Sequence, residues 1–222
     1  MDNNSTSGVL IIATGNPGKA REVAEILDGQ ALSRSVRVLT LGEVLGYMPS
    51  IEENGATLCE NAWIKARAAR TELEHYQNAM ASACQNAIIA ADDSGLFVDC
   101  LGGLPGVHSA RYGGEGATSD AQIKKLLYEM RDIPDGAARS ASFRCVITIS
   151  FPGGAERAAE GRCDGIIATE PRGENGFGYD PIFYLPELGC TMAELASGEK
   201  NRISHRGIAV RRMADEIRLL LP

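Results

Sequence analysis

Residues 9–27 have the sequence VLIIATGNPGKAREVAEIL, and this stretch indicates the fold class. The apolar run at residues 9–13 is typical of a buried strand, and residues 18–27 place apolar side chains on one helical face. The side chains on that face are Ala20, Val23, Ala24 and Leu27. A strand, a tight loop and a helix therefore open the chain.

Helical and strand-like patterns continue through the rest of the sequence. Helices are predicted at residues 56–83, from Thr118 or Ser119 to about 131, and at the chain end, with Ala209, Met213, Ile217 and Leu220 at helical spacing. Strands are predicted at residues 87–91, 143–151 and 161–168, the last two joined by a turn at 152–154. This order favours an α/β fold with a mixed sheet. No repeat or long linker divides the chain, so we expect one domain over residues 1–222, with residues 1–8 disordered.

The size and charge of the chain exclude several classes of protein. It has 222 residues, enough for a continuous core, and a formal net charge of −7. Its longest apolar runs are far shorter than the ~20 residues of a membrane-spanning helix. The polar start of the chain lacks the basic-then-apolar order of a signal peptide. We therefore expect a soluble, cytoplasmic protein with no membrane partner.

The cysteines and the lysines narrow the function further. Six scattered cysteines without a CxxC pair favour buried thiols in a reducing compartment over disulfides or a metal site. The acidic balance argues against a general nucleic-acid binder, which needs a basic stripe, but not against a small anionic ligand. The chain has only five lysines, at positions 19, 65, 124, 125 and 200.

The loop TGNPGK at residues 14–19 lies between the first strand and the first helix. Its two glycines let backbone amides approach an anion, and the helix N-terminus and Lys19 add positive charge. The spacing of a Walker loop is absent, so the loop is either a phosphate cradle or an ordinary strand-to-helix turn.

Two adjacent carboxylates follow the predicted strand at residues 87–91, in the sequence DDSG at 92–95. Neighbouring side chains on a strand point to opposite faces, so we expect only one of Asp92 and Asp93 to meet a ligand. Such a carboxylate can bind Mg²⁺ or take a proton from water, while its neighbour supports the loop. The alternative is a solvated acidic turn.

Two further segments carry chemistry. In ENAWIKA, residues 60–66, Asn61 and Lys65 share a helix face, which is either a metal and phosphate surface or a solvated face. The second segment is GENGFGYDP, residues 173–181. Its glycines allow Phe177 or Tyr179 to stack on a base, although either ring could instead pack in the core. Asp180 can contact an amide-like edge. Lys200, His205 and Arg206 form a cationic cluster suited to phosphates or a carbonyl oxygen.

Taken together, five segments resemble the Ham1/inosine triphosphate pyrophosphatase family, and most closely its bacterial, RdgB-like branch. They are TGNPGK, ENAWIKA, ADDSGLFVDCLGGLPGVHSARY, GFGYDPIF and KNRISHRG, in family order and spread over residues 9–215. The resemblance implies an elongated α/β fold with two lobes around a central mixed β-sheet, an active-site cleft between the lobes, and a homodimer.

The same resemblance implies a Mg²⁺-dependent enzyme that converts purine nucleoside triphosphates such as ITP, dITP and XTP to the monophosphate and pyrophosphate. Asp93 would be the catalytic acceptor and a metal ligand, Glu60 a second metal-side acid, and Asp92 a support. Substrate contacts are implied for Thr14, Gly15, Asn16, Pro17, Gly18, Lys19, Lys65, Ser94, Phe177, Gly178, Tyr179, Asp180, Lys200, His205 and Arg206. A Maf-type pyrophosphatase of different base choice and a nucleotide sensor that does not hydrolyse are the alternatives.

Overall fold

The computed structural model describes residues 8–30, 32, 35–76, 79–114 and 116–220. Its helices are α1 Pro17–Asp28, α2 Leu41–Leu45, α3 Leu58–His75, α4 Ala79–Ala83, α5 Ser119–Glu129, α6 Ser197–Ile203 and α7 His205–Leu220. Its strands are β1 Gly8–Ile12, β2 Val36–Thr40, β3 Ile88–Val98, β4 Pro105–Gly106, β5 Ser140–Ser150, β6 Glu156–Ile167, β7 Phe183–Leu185 and β8 Cys190–Thr191.

Within the described ranges, eight strands form one mixed sheet in the order β2-β1-β3-β5-β6-β7-β8, with β4 paired to β3. Strand β1 runs parallel to β2 and to β3, whereas the β3–β4, β6–β7 and β7–β8 pairs are antiparallel. The predicted α/β class with a mixed sheet is therefore confirmed.

Most predicted elements are confirmed, with two differences. The helix predicted at residues 56–83 is two helices, because Tyr76 leaves the helical conformation (φ −82°, ψ 112°) after α3. The strand predicted at residues 87–91 runs on to Val98, since Leu96 and Phe97 pair with Gly106 and Pro105 of β4. Of the residues expected to be disordered, 1–7 lie outside the described part and Gly8 begins β1.

The chain divides into two compact units. Unit 1 comprises Met1–Asp93, Val146–Glu160 and Ala209–Pro222, and unit 2 comprises Ser94–Cys145 and Gly161–Ile208. Each has its own apolar core: unit 1 packs Ile11, Leu45, Leu73 and Ile89, and unit 2 packs Leu96, Leu126, Phe143 and Phe183. The single domain over residues 1–222 stays a prediction.

All six cysteines lie in the described ranges as thiols without a disulfide, and Cys84, Cys145 and Cys163 are buried. No helix among the described residues is long and apolar enough to cross a membrane.

Burial gives Cys163 a pH-dependent effect on stability. Desolvation, with a smaller effect of Asp164, raises the pKa of this thiol from 9.0 to about 11. A raised folded-state pKa stabilises the fold fully below pH 9, and that stabilisation disappears as pH rises through 11. Between these values the free energy of unfolding of the wild type should fall by about 1–2 kcal/mol more than that of Cys163→Ala, measured by urea denaturation. Parallel curves for the two proteins would contradict this expectation.

Candidate active site

The register of the parallel strands places the loop at residues 14–19 beside the two carboxylates of β3. Ile12, the last residue of β1, pairs with Ala90, and the backbone N–H of Ala13 donates to the carbonyl of Ala90 at 2.8 Å. Asp92 follows two residues later on β3. The carboxyl ends of parallel strands are the usual location of ligand sites in α/β folds.

The adjacent carboxylates contact different lysines, as the alternation of side chains along a strand predicts. Asp92 Oδ2 lies 2.9 Å from Lys19 Nζ. Asp93 Oδ1 lies 3.3 Å from Lys65 Nζ, and Asp93 Oδ2 accepts a hydrogen bond from Asn61 Nδ2 at 3.2 Å. Both aspartates are buried, and each contacts its own lysine.

Some backbone N–H groups of the loop before α1 that could bind an anion donate instead to a side chain of the same loop. Asn16 is the N-cap of α1, and its Oδ1 accepts hydrogen bonds from the backbone N–H groups of Gly18 and Lys19 at 2.9 and 3.2 Å. Pro17 occupies the first turn, and Thr14 Oγ1 accepts from the N–H of Asn16 at 3.3 Å. The clearest cationic group offered by this loop is therefore the ammonium of Lys19.

Asn61 connects the segment before α3 to Asp93, the candidate catalytic acid. Its Oδ1 accepts from the backbone N–H of Gly55 at 2.8 Å, while its Nδ2 donates to Asp93. A Cβ on Gly55 would lie 2.7 Å from this same Oδ1, so the approach of the loop to α3 requires glycine. The sequence predicts that Asn61 shares a helix face with Lys65, but it does not show that Asn61 links Gly55 to Asp93.

Glu53 is the acid that sequence reasoning missed. Its Oε2 lies 2.7 Å from Lys65 Nζ, on the ammonium that also contacts Asp93. Glu60 has a different position: it is exposed, and its Oε2 accepts from the backbone N–H of Ala56 at 2.7 Å, ahead of α3. Among the residues that the structure describes, no group of three or more His, Cys, Asp or Glu is arranged to hold a metal.

The buried charges shift one another's proton affinity. Burial raises the pKa of the Asp93 carboxyl, although Lys65 and Lys19 oppose this effect. For Lys65, burial alone would lower the pKa, but Asp93, Asp92 and Glu53 together hold it above its ordinary value. A carboxylate with a raised pKa is a better proton acceptor at neutral pH than an exposed one.

In unit 2, Asp180 organises the segment at residues 173–181. Its buried Oδ2 accepts from the backbone N–H of Phe177 at 2.8 Å and from Lys200 Nζ at 2.6 Å. Gly176 has φ +78°, and a Cβ there would lie 2.1 Å from this oxygen. The carboxylate expected to contact an amide-like edge thus binds the loop and Lys200.

Phe177 and Tyr179 have different surroundings. The half-buried ring of Phe177 lies 4.8 Å from Lys200 Nζ and 5.3 Å from the guanidinium carbon of Arg206. Tyr179 is buried in the core of unit 2, and its hydroxyl donates to the carbonyl of Ser109 at 2.9 Å. Of the two rings, Tyr179 is therefore the core residue. Gly178, also half-buried, separates them with φ +62°.

The start of α7 carries the remaining candidates. The buried His205 ring stacks on Phe143, with centroids 4.7 Å apart and an interplanar angle of 14°. Arg206, also buried, donates from its guanidinium to Ser94 Oγ at 3.2 Å. The structure therefore groups Ser94, Phe177 and Arg206 in unit 2, where the sequence shows only three separate segments.

Comparison with known proteins identifies the family of this chain. The Ham1 family model matches residues 10–216, and the chain belongs to the Ham1 family. It is 45% identical to the dITP/XTP pyrophosphatase of Geobacillus kaustophilus over 207 residues, 93% of each chain. It is 46% identical to the dITP/XTP pyrophosphatase of Photorhabdus laumondii, covering 94% of this chain and 98% of that one. A solved HAM1 protein from Coxiella burnetii matches with a TM-score of 0.77 and 38% identity, covering 96% of this chain and 99% of that one.

Proposed function

We propose that this protein is a nucleoside triphosphate pyrophosphatase that hydrolyses dITP, ITP and XTP to the monophosphate and pyrophosphate. The observation that carries the proposal is the arrangement on β3, where Asp92 contacts Lys19 of the loop at residues 14–19 and Asp93 contacts Lys65 of α3. Carboxylates and lysines in one place suit a phosphorylated ligand with its metal. The relatives named dITP/XTP pyrophosphatase support dITP and XTP among these substrates.

Mg²⁺ is the metal that this donor set fits best. Asp93 and Glu53 are hard oxygen donors close to one ammonium, and Mg²⁺ typically takes one or two carboxylates together with substrate phosphates and water. When bound, the ion would neutralise phosphate oxygens during the reaction. The position of Glu60, on the amide of Ala56, makes Glu53 the better partner for Asp93 in this proposal.

The protein's own residues would then divide the chemistry. Asp93 orients a water molecule and accepts its proton as the water oxygen attacks the α-phosphorus and the bond to the bridging oxygen breaks. Lys19 and Lys65 donate to phosphate oxygens and stabilise the charge that develops on the leaving pyrophosphate. Asp92 keeps Lys19 in position.

Base recognition is assigned to unit 2. Phe177 offers a ring for stacking, and Lys200, His205 and Arg206 offer donors for a keto oxygen at position 6 of the purine. Asp180 would hold Phe177 and Lys200 in place rather than contact the base, because its Oδ2 already accepts from both. An amino group at position 6 would leave these donors unpaired, at a cost of ~1–3 kcal/mol for each lost hydrogen bond.

A nucleotide screen tests this function. In a screen of XTP, ITP, dITP, GTP, ATP and CTP, pyrophosphate release from XTP, ITP and dITP should be about 10–100-fold faster than from ATP, for one or two lost bonds. Addition of EDTA should abolish the release, and Mg²⁺ should restore it. Equal use of ATP would exclude recognition of the keto group, and tight binding of ITP without release would favour a sensor.

The proposal has three further parts. The enzyme would be a homodimer, as the resemblance to the family implies, and it would act in the cytoplasm and use free nucleotides rather than nucleic acid or membranes. The net charge of −7 supports the exclusion of nucleic acid, because phosphate backbones are repelled by an acidic surface.

A further inference from the structure

The ammonium of Lys65 contacts the two carboxylates, Glu53 and Asp93, that a divalent cation would need as ligands. Lys65 Nζ lies 2.7 Å from Glu53 Oε2 and 3.3 Å from Asp93 Oδ1. Lys65 and Asp93 are both buried, so solvent screens this contact less than it would a contact at the surface. An ammonium group and a divalent cation compete for the same oxygens, and their like charges repel at such distances.

The second oxygen of Asp93 is engaged as well. Asn61 Nδ2 donates to Asp93 Oδ2 at 3.2 Å, and Asn61 is held by the backbone N–H of Gly55 at 2.8 Å. A metal ion that binds Asp93 therefore competes with Asn61 or Lys65 for a carboxylate oxygen. Lys65 is the group that moves more easily, because a lysine has a flexible four-carbon stem, whereas both the Oδ1 and the Nδ2 of Asn61 are hydrogen-bonded.

We propose that Lys65 keeps divalent metal away from Glu53 and Asp93 until a triphosphate draws its ammonium onto phosphate oxygens. This inference rests on the proposed function, since it assumes that a triphosphate binds beside β3. Metal and triphosphate would then bind as a coupled pair, and the enzyme would not hold Mg²⁺ permanently. Coupling of this kind is reciprocal: each ligand raises the affinity for the other by the same factor.

The test is a calorimetric titration of the full-length protein with MnCl₂, without any nucleotide. We expect Mn²⁺ to bind the wild type weakly and to bind Lys65→Met at least about 10-fold more tightly, within the usual range of coupling between sites. Lys65→Arg keeps the positive charge and should bind Mn²⁺ as weakly as the wild type. Lys124→Met, the loss of an exposed lysine in unit 2, is the matched control and should leave the affinity unchanged.

A second neutral variant keeps the test decisive if Lys65→Met does not fold. Lys65→Gln retains a hydrogen-bond donor for the buried carboxylates and should also bind Mn²⁺ more tightly than the wild type. The proposal is overturned if neither neutral variant gains affinity, or if Lys65→Arg gains as much as they do. A parallel titration with inorganic tripolyphosphate in EDTA should show weaker binding to Lys65→Met than to the wild type, and equal binding would also overturn it.

The outcome can be separated from that of the proposed function. The Mn²⁺ titration requires neither turnover nor a purine base, so its result stands whether or not ITP is hydrolysed. A failed nucleotide screen with a positive Mn²⁺ result would reject the substrate and keep the role of Lys65. A successful screen with no gain of affinity in the neutral variants would keep the substrate and reject the role of Lys65.

Discussion

An Asp93→Asn variant is expected to lower kcat for ITP hydrolysis by about 10²–10⁴-fold, the usual contribution of a general base. The amide cannot take the proton of the attacking water, yet it has nearly the size of the carboxylate that it replaces. Lys19 and Lys65 remain to bind phosphate, so ITP binding should persist. Pyrophosphate release measures kcat, and calorimetry with ITP measures binding.

Asp92→Asn is the matched comparison for this experiment. Asp92 is the neighbouring buried acid on β3, but it contacts Lys19 at 2.9 Å instead of Lys65. We expect its loss to act mainly on KM, because it misplaces a phosphate-binding lysine and leaves the base intact. Equal losses of kcat in the two variants, or substantial turnover by Asp93→Asn, would remove Asp93 from the role of base.

Local patterns in the sequence correctly predicted the first strand and the first helix of unit 1. The apolar run at residues 9–13 and the helical periodicity that follows correspond to β1 and α1. These predictions succeed because each depends on residues that are close together in the chain. Alternation along a strand also predicts that only one of Asp92 and Asp93 meets a ligand, and this stays a prediction.

The features that the sequence did not reveal depend on contacts between distant residues. Asp92, Asp93 and Gly95 are poor strand formers, so the sequence pattern ends the strand before them, but β3 continues because β4 pairs with its second half. Glu53 lies in a segment without periodicity, and only the fold brings it to Lys65. The sequence pattern also could not decide between Phe177 and Tyr179, since burial separates them.

Three of the five lysines contact a buried aspartate: Lys19 with Asp92, Lys65 with Asp93, and Lys200 with Asp180. In each pair the lysine lowers the cost of burying the aspartate charge. A phosphate or keto oxygen can then bind a lysine that is already positioned.

Gly176→Ala is expected to lower kcat/KM for ITP by about 10–100-fold, equivalent to the loss of one or two good hydrogen bonds. The added Cβ would lie 2.1 Å from Asp180 Oδ2 and 3.0 Å from Lys200 Nζ. Asp180 must therefore move, and its contacts with the backbone of Phe177 and with Lys200 are lost together. Because Asp93 is not among the atoms that the added Cβ meets, kcat at saturating ITP should change less than KM.

Gly136→Ala separates this effect from backbone strain. Gly136 lies in unit 2 with φ +85°, close to the +78° of Gly176, but a Cβ added there would meet no atom within 4 Å. Both variants should lose stability from the left-handed backbone, by about 1–2 kcal/mol, and Gly176→Ala should have the lower melting temperature of the two because it also breaks the buried contacts of Asp180. Only Gly176→Ala should also lose ITP affinity and the preference for ITP over ATP, because only that Cβ displaces the carboxylate that holds Lys200. Equal kinetic losses in the two variants would mean that the Asp180–Lys200 pair does not determine base recognition.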